Sequence, residues 1–245
     1  MVQMASRRDR IRAATSQEII QTARRLLVRD GSTAISLRAI AREMGMTAPA
    51  LYRYYDSHEE LIEHVIADIF TELADYLQAE IAPVGSSTSS PESIAGQLLT
   101  ACQAFHDWAV AHPAEFGMIF GSPLPGLDLA HDDPIAECGF RFGQVFVTLF
   151  EELWQVRPFT VPPDDEIGAA IRPQLAHYRD LIGSSLPLGA LQTFLRCWVL
   201  LYGTVSLEVF GHMRFALDNA APMFEMMLTD LALTIGLDYP PSSAG

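Results

Sequence analysis

Residues 33–62 of this chain read TAISLRAIAREMGMTAPALYRYYDSHEELI, and the stretch contains two short helical patterns separated by a turn. Ser36 can cap the first helix, and Gly45 supplies the permissive backbone that a tight turn after it requires. The apolar positions of that helix follow one face, at Leu37, Ile40, Ala41 and Met44. Thr47 can cap the second helix, where Pro49 suits the first turn. Two short helices joined in this way predict a helix-turn-helix.

The segments on both sides of this stretch are also predicted to be helical. Before it, apolar residues share one face from Ser16 onward, and Gly31 stands where a helix C-cap belongs. After it, Ser57 and Glu60 form a Ser-x-x-Glu capping box for a longer helix. The N-terminal part is therefore divided into a flexible basic arm at 1–15, the helix-turn-helix at 16–56 and a connecting helix at 57–82.

The rest of the chain, residues 83–245, is predicted to be helical as well. A break rich in Pro, Gly and Ser at 83–91 precedes it, and a second loop is expected at 121–133. Helical patterns fall near 91–111, 113–120, 134–155, 164–182, 188–214 and 220–236. Alternating runs spaced as a sheet would need are not found. The predicted fold class is all-α, with about nine helices.

Charge is distributed unevenly along the chain. The sequence has 245 residues and a formal net charge of -14, and its sixteen basic residues are all arginine. Ten of these arginines but only five acidic residues lie in the first 56 positions, so this part carries +5 and the remainder -19. A small basic head on an acidic body is typical of proteins that bind a polyanion through one domain. Chance clustering on a solvated face is the alternative that composition leaves open.

The start of the second motif helix has the chemistry needed to approach DNA. Ala48, Pro49 and Ala50 are small, which lets the helix end come close to base edges and thymine methyl groups. Arg53 lies one turn further on and can reach a guanine or a phosphate. Three hydroxyls can donate to phosphate oxygens, those of Thr47, Tyr52 and Tyr54. Tyr55 is expected in the core instead.

At these residues the chain resembles the DNA-binding domain of the TetR family of bacterial repressors, over about residues 16–64. The matching positions are Gly31, Ser36, Arg38, Ile40, Ala41, Gly45, Leu51, Tyr52, Tyr54, Glu59, Glu60 and Leu61. Tyr55 stands where the family usually has Phe. His58 stands where the family commonly has a Lys that contacts phosphate. Because a histidine carries only part of a positive charge near pH 7, this contact does not carry over directly.

The resemblance implies a ligand-responsive transcriptional regulator: a homodimer that represses from a near-palindromic operator in double-stranded DNA and is released by a small, largely apolar effector. The positions expected to contact DNA are Ser36, Arg38, Thr47, Ala48, Pro49, Ala50, Tyr52, Arg53, Tyr54 and His58. Residues 83–245 then form the effector-binding and dimerisation domain, with the dimer contact predicted near 188–214 and 220–236. Within it, WVLLYGTVSLEVFGH at 198–212 resembles a subgroup named for a Trp…His-Gly segment, although Tyr202 replaces the His.

The C-terminal part is rich in large apolar side chains, most of which must be ordinary core. Small-molecule sites are mainly apolar with few polar groups, so the resemblance implies that some of these side chains line an effector site. The candidates are Phe105, Trp108, Phe116, Phe120, Phe142, Phe146, Tyr178, Trp198 and Tyr202. Candidate polar anchors are Arg141, His177, Tyr178 and Arg196.

The sequence offers no support for catalysis or metal binding. HEELIEH at 58–64 lacks the second histidine of HExxH, because Ile62 occupies that position. Cys102, Cys138 and Cys197 are odd in number and far apart, which argues against a zinc site or a disulfide framework. Neither a metal nor a cofactor is predicted, and the alternative to a regulator is an all-α enzyme or ligand carrier with a basic N-terminal module. Without a signal-peptide core or a membrane-length apolar run, we expect a cytoplasmic protein.

Overall fold

The computed structural model describes residues 6–85, 90–121 and 134–237, except for the side chains of 134 and 135. These ranges contain ten α-helices, nine of them seven residues or longer, and no strand, so the all-α prediction is confirmed. The helices are α1 Arg7–Asp30, α2 Leu37–Glu43, α3 Ala48–Leu51, α4 His58–Ile81, α5 Pro91–Ala111, α6 Pro113–Phe120, α7 Pro134–Val156, α8 Arg172–Leu181, α9 Leu188–Val209 and α10 Ala221–Thr234. Of the predicted loops, residues 86–89 of 83–91 and residues 122–133 of 121–133 lie outside the described residues.

The chain forms two compact units, and α4 contributes residues to both. The first unit, here called the head, runs to Glu72 and also includes Ala114–Gly139, which brings in most of α6. The second unit, the body, comprises Leu73–Pro113 and the chain from Phe140 onward. The boundary predicted after residue 82 marks the end of α4, whereas the division between the units falls inside that helix.

The head is built around α1, α2, α3 and the first part of α4. Gly31 and Gly45 both have positive φ, 85° and 64°, so α1 and α2 end in a conformation that a larger residue would adopt only with strain. Ser36 caps α2 as predicted, because its Oγ accepts a 3.2 Å hydrogen bond from the Ala39 amide. The core of the head includes Ile19, Ala23, Ile40, Leu51, Tyr55, Leu61, Val65 and Ile69.

The first helix begins earlier than the sequence analysis expected. A flexible arm was predicted at 1–15, but α1 starts at Arg7, so the prediction is corrected from residue 7 onward; residues 1–5 lie outside the described ranges. The cause is a capping box. Ser6 Oγ accepts from the Asp9 amide, and the Asp9 carboxylate accepts from the Ser6 amide, each at 3.2 Å. These bonds involve backbone amides that would otherwise lack a hydrogen-bond acceptor at the start of the helix.

The body is organised around α9, against which α5, α8 and α10 pack. Its core includes Phe105, Phe150, Leu153, Ala190, Leu191, Val205 and Phe224. Two of its helices are shorter than predicted. α8 begins at Arg172 instead of near 164, with Pro173 in its first turn, and α9 ends at Val209 instead of 214, since Gly211 turns the chain with φ 68°.

One described helix, α9, is long and apolar enough to cross a membrane if length and composition alone are considered. Half of its apolar window is buried within the body. The apolar character of α9 therefore has a structural explanation in helix packing, as expected for the central helix of a bundle.

Candidate nucleic-acid interface and effector cavity

The segment Ala48–Arg53 is held by two buried side chains that flank its exposed ones. Leu51 is 0% and Tyr55 1% exposed, and the Tyr55 hydroxyl lies 2.8 Å from the Ser16 hydroxyl. Burial raises the pKa of the Tyr55 phenol, which keeps it neutral. Because these anchors point into the head, Tyr52 is half exposed and Arg53 faces solvent. The arrangement leaves a cation and a phenol exposed on the segment that is predicted to face a major groove.

The first turn of α3 presents small residues and an unengaged hydroxyl. Thr47 occupies the N-cap position and is exposed, but its side chain makes no capping hydrogen bond. Its hydroxyl is therefore available to a phosphate oxygen. Pro49 is exposed, while Ala48 and Ala50 are half-buried and leave the helix end without bulky side chains. This surface suits close approach to base edges.

The first turns of α1 lie against the end of this segment. Arg12 Nη2 donates a 3.2 Å hydrogen bond to the Arg53 carbonyl oxygen, and the Arg12 guanidinium lies 5.8 Å from the centre of the Tyr54 ring. Tyr54, a predicted phosphate contact, is half-buried beside this cation. The preceding arginines of α1 are all exposed: Arg7, Arg8 and Arg10. The structure thus adds a basic helical turn to the predicted DNA-binding surface.

The start of α4 places His58 beside the loop before α2. His58 Nε2 lies 2.9 Å from the Ile35 carbonyl oxygen, so this nitrogen carries a hydrogen and donates it. In a neutral ring Nδ1 is then without a hydrogen and can only accept. A phosphate contact through Nδ1 consequently requires the imidazolium form, in which both nitrogens donate. Nearby on α2, Ser36 uses its oxygen as a cap and Arg38 is exposed.

The capping box predicted for α4 is present in altered form. The Glu60 amide donates to Ser57 Oγ at 3.0 Å, as expected. The Glu60 carboxylate, however, accepts from the Asp56 amide at 2.5 Å and not from that of Ser57. Both bonds fix the path of the chain from the recognition segment into α4.

The nine aromatic residues predicted to line an effector site do not gather in one place. Five form a cluster in the body, with ring centroids 5.6–6.3 Å apart: Phe105, Phe142, Phe146, Trp198 and Tyr202. Phe116 and Phe120 belong to the head, where they contact each other and Phe120 contacts Phe70. Trp108 stacks on His112, and Tyr178 lies on α8. The predicted set is therefore split, because α6 joins the head.

An apolar cavity of about 20 Å³ adjoins the aromatic cluster. Its lining residues are Leu98, Cys102, Phe146, Phe150, Phe194, Cys197, Trp198, Leu201 and Leu231, of which only Phe146 and Trp198 were predicted. Small-molecule sites usually measure about 300–1,000 Å³, so a ligand could enter only if these rings moved. Burial raises the pKa of Cys102 to about 12 and that of Cys197 to about 11, so both are neutral thiols that line the cavity as small apolar groups.

The suggested polar anchors lie mostly at the surface of the body. Arg141 forms an ion pair with Asp75, and His177 and Arg196 are exposed. A polar group that the sequence analysis did not single out as an anchor is the indole Nε1 of Trp108, which is buried without a hydrogen-bond partner in the described structure. Across the described ranges, no three His, Cys, Asp or Glu side chains are placed to hold a metal ion.

Two protein-family models together cover most of the chain. One, described as bacterial regulatory proteins of the tetR family, matches residues 19–65. The other, described as a tetracyclin repressor-like C-terminal domain, matches residues 98–231. The chain belongs to the TetR family. The predicted resemblance is confirmed, and because this family consists of regulatory proteins, the comparisons do not favour the enzyme or carrier alternative. The Trp…His-Gly subgroup stays a prediction.

Three individual proteins illustrate what this chain is similar to. The HTH-type transcriptional regulator Rv1816 of Mycobacterium tuberculosis is 33% identical over 123 residues, which cover 50% of each chain. The matched stretch thus spans about half the length of this curated relative. The crystal structure of the putative regulatory protein SCO4313 is 31% identical, with a TM-score of 0.69 over 92% of this chain and 98% of that one. A TetR/AcrR regulator from Thermobifida fusca shares the fold at 16% identity, with a TM-score of 0.52 over 92% of this chain and 100% of that one.

Proposed function

We propose that this chain is a transcriptional repressor that binds a near-palindromic operator as a homodimer and leaves it when a small, largely apolar effector binds the body. The observation that carries the proposal is the exposed pair Tyr52 and Arg53, held between the buried anchors Leu51 and Tyr55. Family membership supplies the regulatory role. We infer a cytoplasmic protein, because its operator is chromosomal DNA.

In this proposal the head contacts DNA through base edges and phosphates. Arg53 reaches guanine O6 and N7 or a neighbouring phosphate, while Thr47 and Tyr52 donate to phosphate oxygens. Arg8 lies one helical turn before Arg12, on the same face of α1, so it extends the basic surface beyond the Arg53 carbonyl. Arg7 and Arg10 flank it and are exposed. We assign this basic turn to phosphates beside each half-site.

The homodimer is supported by apolar stripes on two neighbouring helices of the body. On α9, Val199 and Leu207 are exposed, and on α10, Met226 and Leu233 are exposed. Spacings of eight and seven residues place each pair on one side of its helix. Exposed apolar side chains grouped in this way favour an interaction site, and in this proposal a second copy of the chain covers them. The two-fold symmetry of such a homodimer then matches the two-fold symmetry of a near-palindromic operator.

Effector release is proposed to act through α4. This helix is continuous from His58 to Ile81, with its first part in the head and its last part in the body, and it serves as the connecting helix. An effector that displaces Phe146 and Trp198 enlarges the small apolar cavity. A coupling free energy of about 1–3 kcal/mol between effector and operator is typical for such regulators.

The proposal is tested by selecting duplexes from random DNA with the purified full chain. The wild type is expected to enrich a near-palindromic sequence. Arg53→Ala is expected to lose about 1–3 kcal/mol of binding and its preference at one position in each half-site. Arg179→Ala, which removes a body arginine paired with Asp180, is the matched control and should select the same sequence as the wild type. If the wild type enriches nothing and binds every duplex equally weakly, the proposal is wrong.

A further inference from the structure

The loop between α9 and α10, residues 210–220, presents an isolated aromatic side chain. Phe215 is 90% exposed, more than any other large apolar side chain in the described ranges. The loop is held by its own backbone: the His212 amide donates to Leu207 O at 2.8 Å, and the Leu217 amide donates to Met213 O at 3.0 Å. These bonds define the path of the backbone on both sides of Phe215, which lowers the backbone entropy that the loop would lose on docking.

A groove of about 350 Å³ lies directly beside this loop. Its apolar surface comes from Val110, Pro113, Met213 and Leu217. Phe215 stands between the last two in sequence but does not line the groove. The Phe215 side chain therefore does not fill the groove of its own copy of the chain.

The groove carries charges of both signs. Glu208 and Asp218 contribute carboxylates, and Arg214, next to Phe215 in sequence, lines the same groove. The Glu208 carboxylate is fixed in place, because its Oε2 lies 2.9 Å from Nε2 of the buried His106. A groove that holds both Arg214 and Asp218 is therefore complementary in charge to the same groove on a second copy of the chain.

We propose that Phe215 of each protomer inserts into this groove on a second copy of the chain, with Arg214 pairing with Asp218 of that copy. The proposal rests on the homodimer proposed above. A two-fold interface uses the same surface on both copies. Because Phe215 and the groove are neighbours on that surface, the Phe215 side chain of each copy can enter the groove of the other, which gives two equivalent contacts. The groove also continues from the exposed end of α9, which carries the apolar stripe. Phe215 is thus assigned as an anchor residue of the dimer.

The first test compares dimer dissociation by sedimentation or mass photometry over a concentration series. Phe215→Ala is expected to raise the dissociation constant of the dimer at least tenfold, since each dimer then lacks both of its anchors. Val28→Ala is the matched control, because Val28 is also exposed, at 60%, but lies on α1 in the head. A Phe215→Ala protein that dimerises as tightly as the wild type overturns the proposal while leaving the homodimer intact. A monomeric wild type overturns both.

The second test uses cross-linking and holds even if Phe215→Ala perturbs folding. Two differently tagged copies are co-expressed in a Cys138→Ser background, one with Phe215→Cys and the other with Val110→Cys. Mild oxidation is expected to join the two tags in one disulfide-linked dimer. The control pair, Phe215→Cys with Val28→Cys, should not cross-link. Equal cross-linking in both pairs, or none in the first, contradicts the insertion of Phe215 into the groove.

Discussion

The Arg24 guanidinium donates a 2.6 Å hydrogen bond to the Glu72 carboxylate and so joins the first helix of the head to α4. Arg24 is only 8% exposed. The same Nη1 lies 3.0 Å from Asp68, and Nη2 lies 3.8 Å from Glu115 on α6. One cation thus stands among three carboxylates from two helices. The pKa of Arg24 is raised: burial acts to lower it, but the combined hydrogen bonds and charges of Glu72 and Asp68 outweigh that effect.

Removing this cation is expected to destabilise the head. Arg24→Met keeps the volume of the side chain but leaves the carboxylates facing one another, and breaking a buried pair in this way typically costs about 3–5 kcal/mol. Because Glu72 is nearly half exposed, we expect about 2–3 kcal/mol here. Urea unfolding at pH 7 measures the change as a lower midpoint.

The neighbouring arginine provides the control for this measurement. Arg25 is exposed, and its one described polar contact is a 2.7 Å hydrogen bond to Thr22 Oγ1. Arg25→Met should change the free energy of unfolding by about 0.5 kcal/mol or less. Equal losses from Arg24→Met and Arg25→Met would show that the carboxylate cluster does not depend on Arg24.

The basic turn of α1 is expected to bind phosphates without adding sequence preference. Replacing Arg8 and Arg10 by Ala should weaken binding to every duplex and lower the slope of log affinity against log salt by about 0.9 for each phosphate that is no longer neutralised. The selected operator sequence should stay the same. Fluorescence anisotropy across a salt series measures the slope, with Arg179→Ala as the control. An unchanged slope would show that Arg8 and Arg10 do not contact phosphates.

Periodicity predicted most helices of this fold but could not show the first turns of α1. Residues 7–15 contain Ile11 as their only large apolar side chain, so no apolar stripe marks the segment as a helix. The signal that was present is local: Ser6 and Asp9 have the spacing of a capping box with Asp in place of Glu. Here an end signal, and not amphipathicity, determines where the helix begins.

The aromatic residues show a second limit of sequence reasoning. Helical spacing predicts that a side chain such as Phe116 is buried, and it is 0% exposed. It does not predict which neighbour covers that side chain, because this depends on which unit the helix joins. Phe116 therefore falls in the head, whereas Phe105 falls in the body. Which residues around Leu51 are buried and which are exposed was easier to predict, since the anchor and its exposed neighbours lie within one short segment.

The two cysteines that line the apolar cavity are expected to resist alkylation. Burial raises the pKa of Cys102 to about 12 and that of Cys197 to about 11, so at pH 8 almost no thiolate is present to react. Iodoacetamide should first modify Cys138, which is half-buried, and should modify all three in urea. Peptide mass spectrometry follows the reaction. Labelling of native Cys102 as fast as Cys138 would contradict this prediction.

The same two thiols make the stability of the fold depend on pH. Because their pKa values are raised in the folded state, their contribution to the free energy of unfolding is present below about pH 8.5 and is lost as the pH rises toward 11–12.

Operator binding is expected to strengthen when His58 is replaced by Lys. The Nε2 of His58 is occupied by the Ile35 carbonyl oxygen at 2.9 Å, so a neutral ring has no further N–H to offer a phosphate. A lysine ammonium carries a full positive charge and three donors. His58→Lys should therefore bind the operator more tightly than the wild type, whereas His58→Gln should not. His177→Lys places the same charge at an exposed position of the body and serves as the control. Anisotropy at constant pH and ionic strength measures the affinities, and equal affinities of His58→Lys and the wild type would show that position 58 does not contact phosphate.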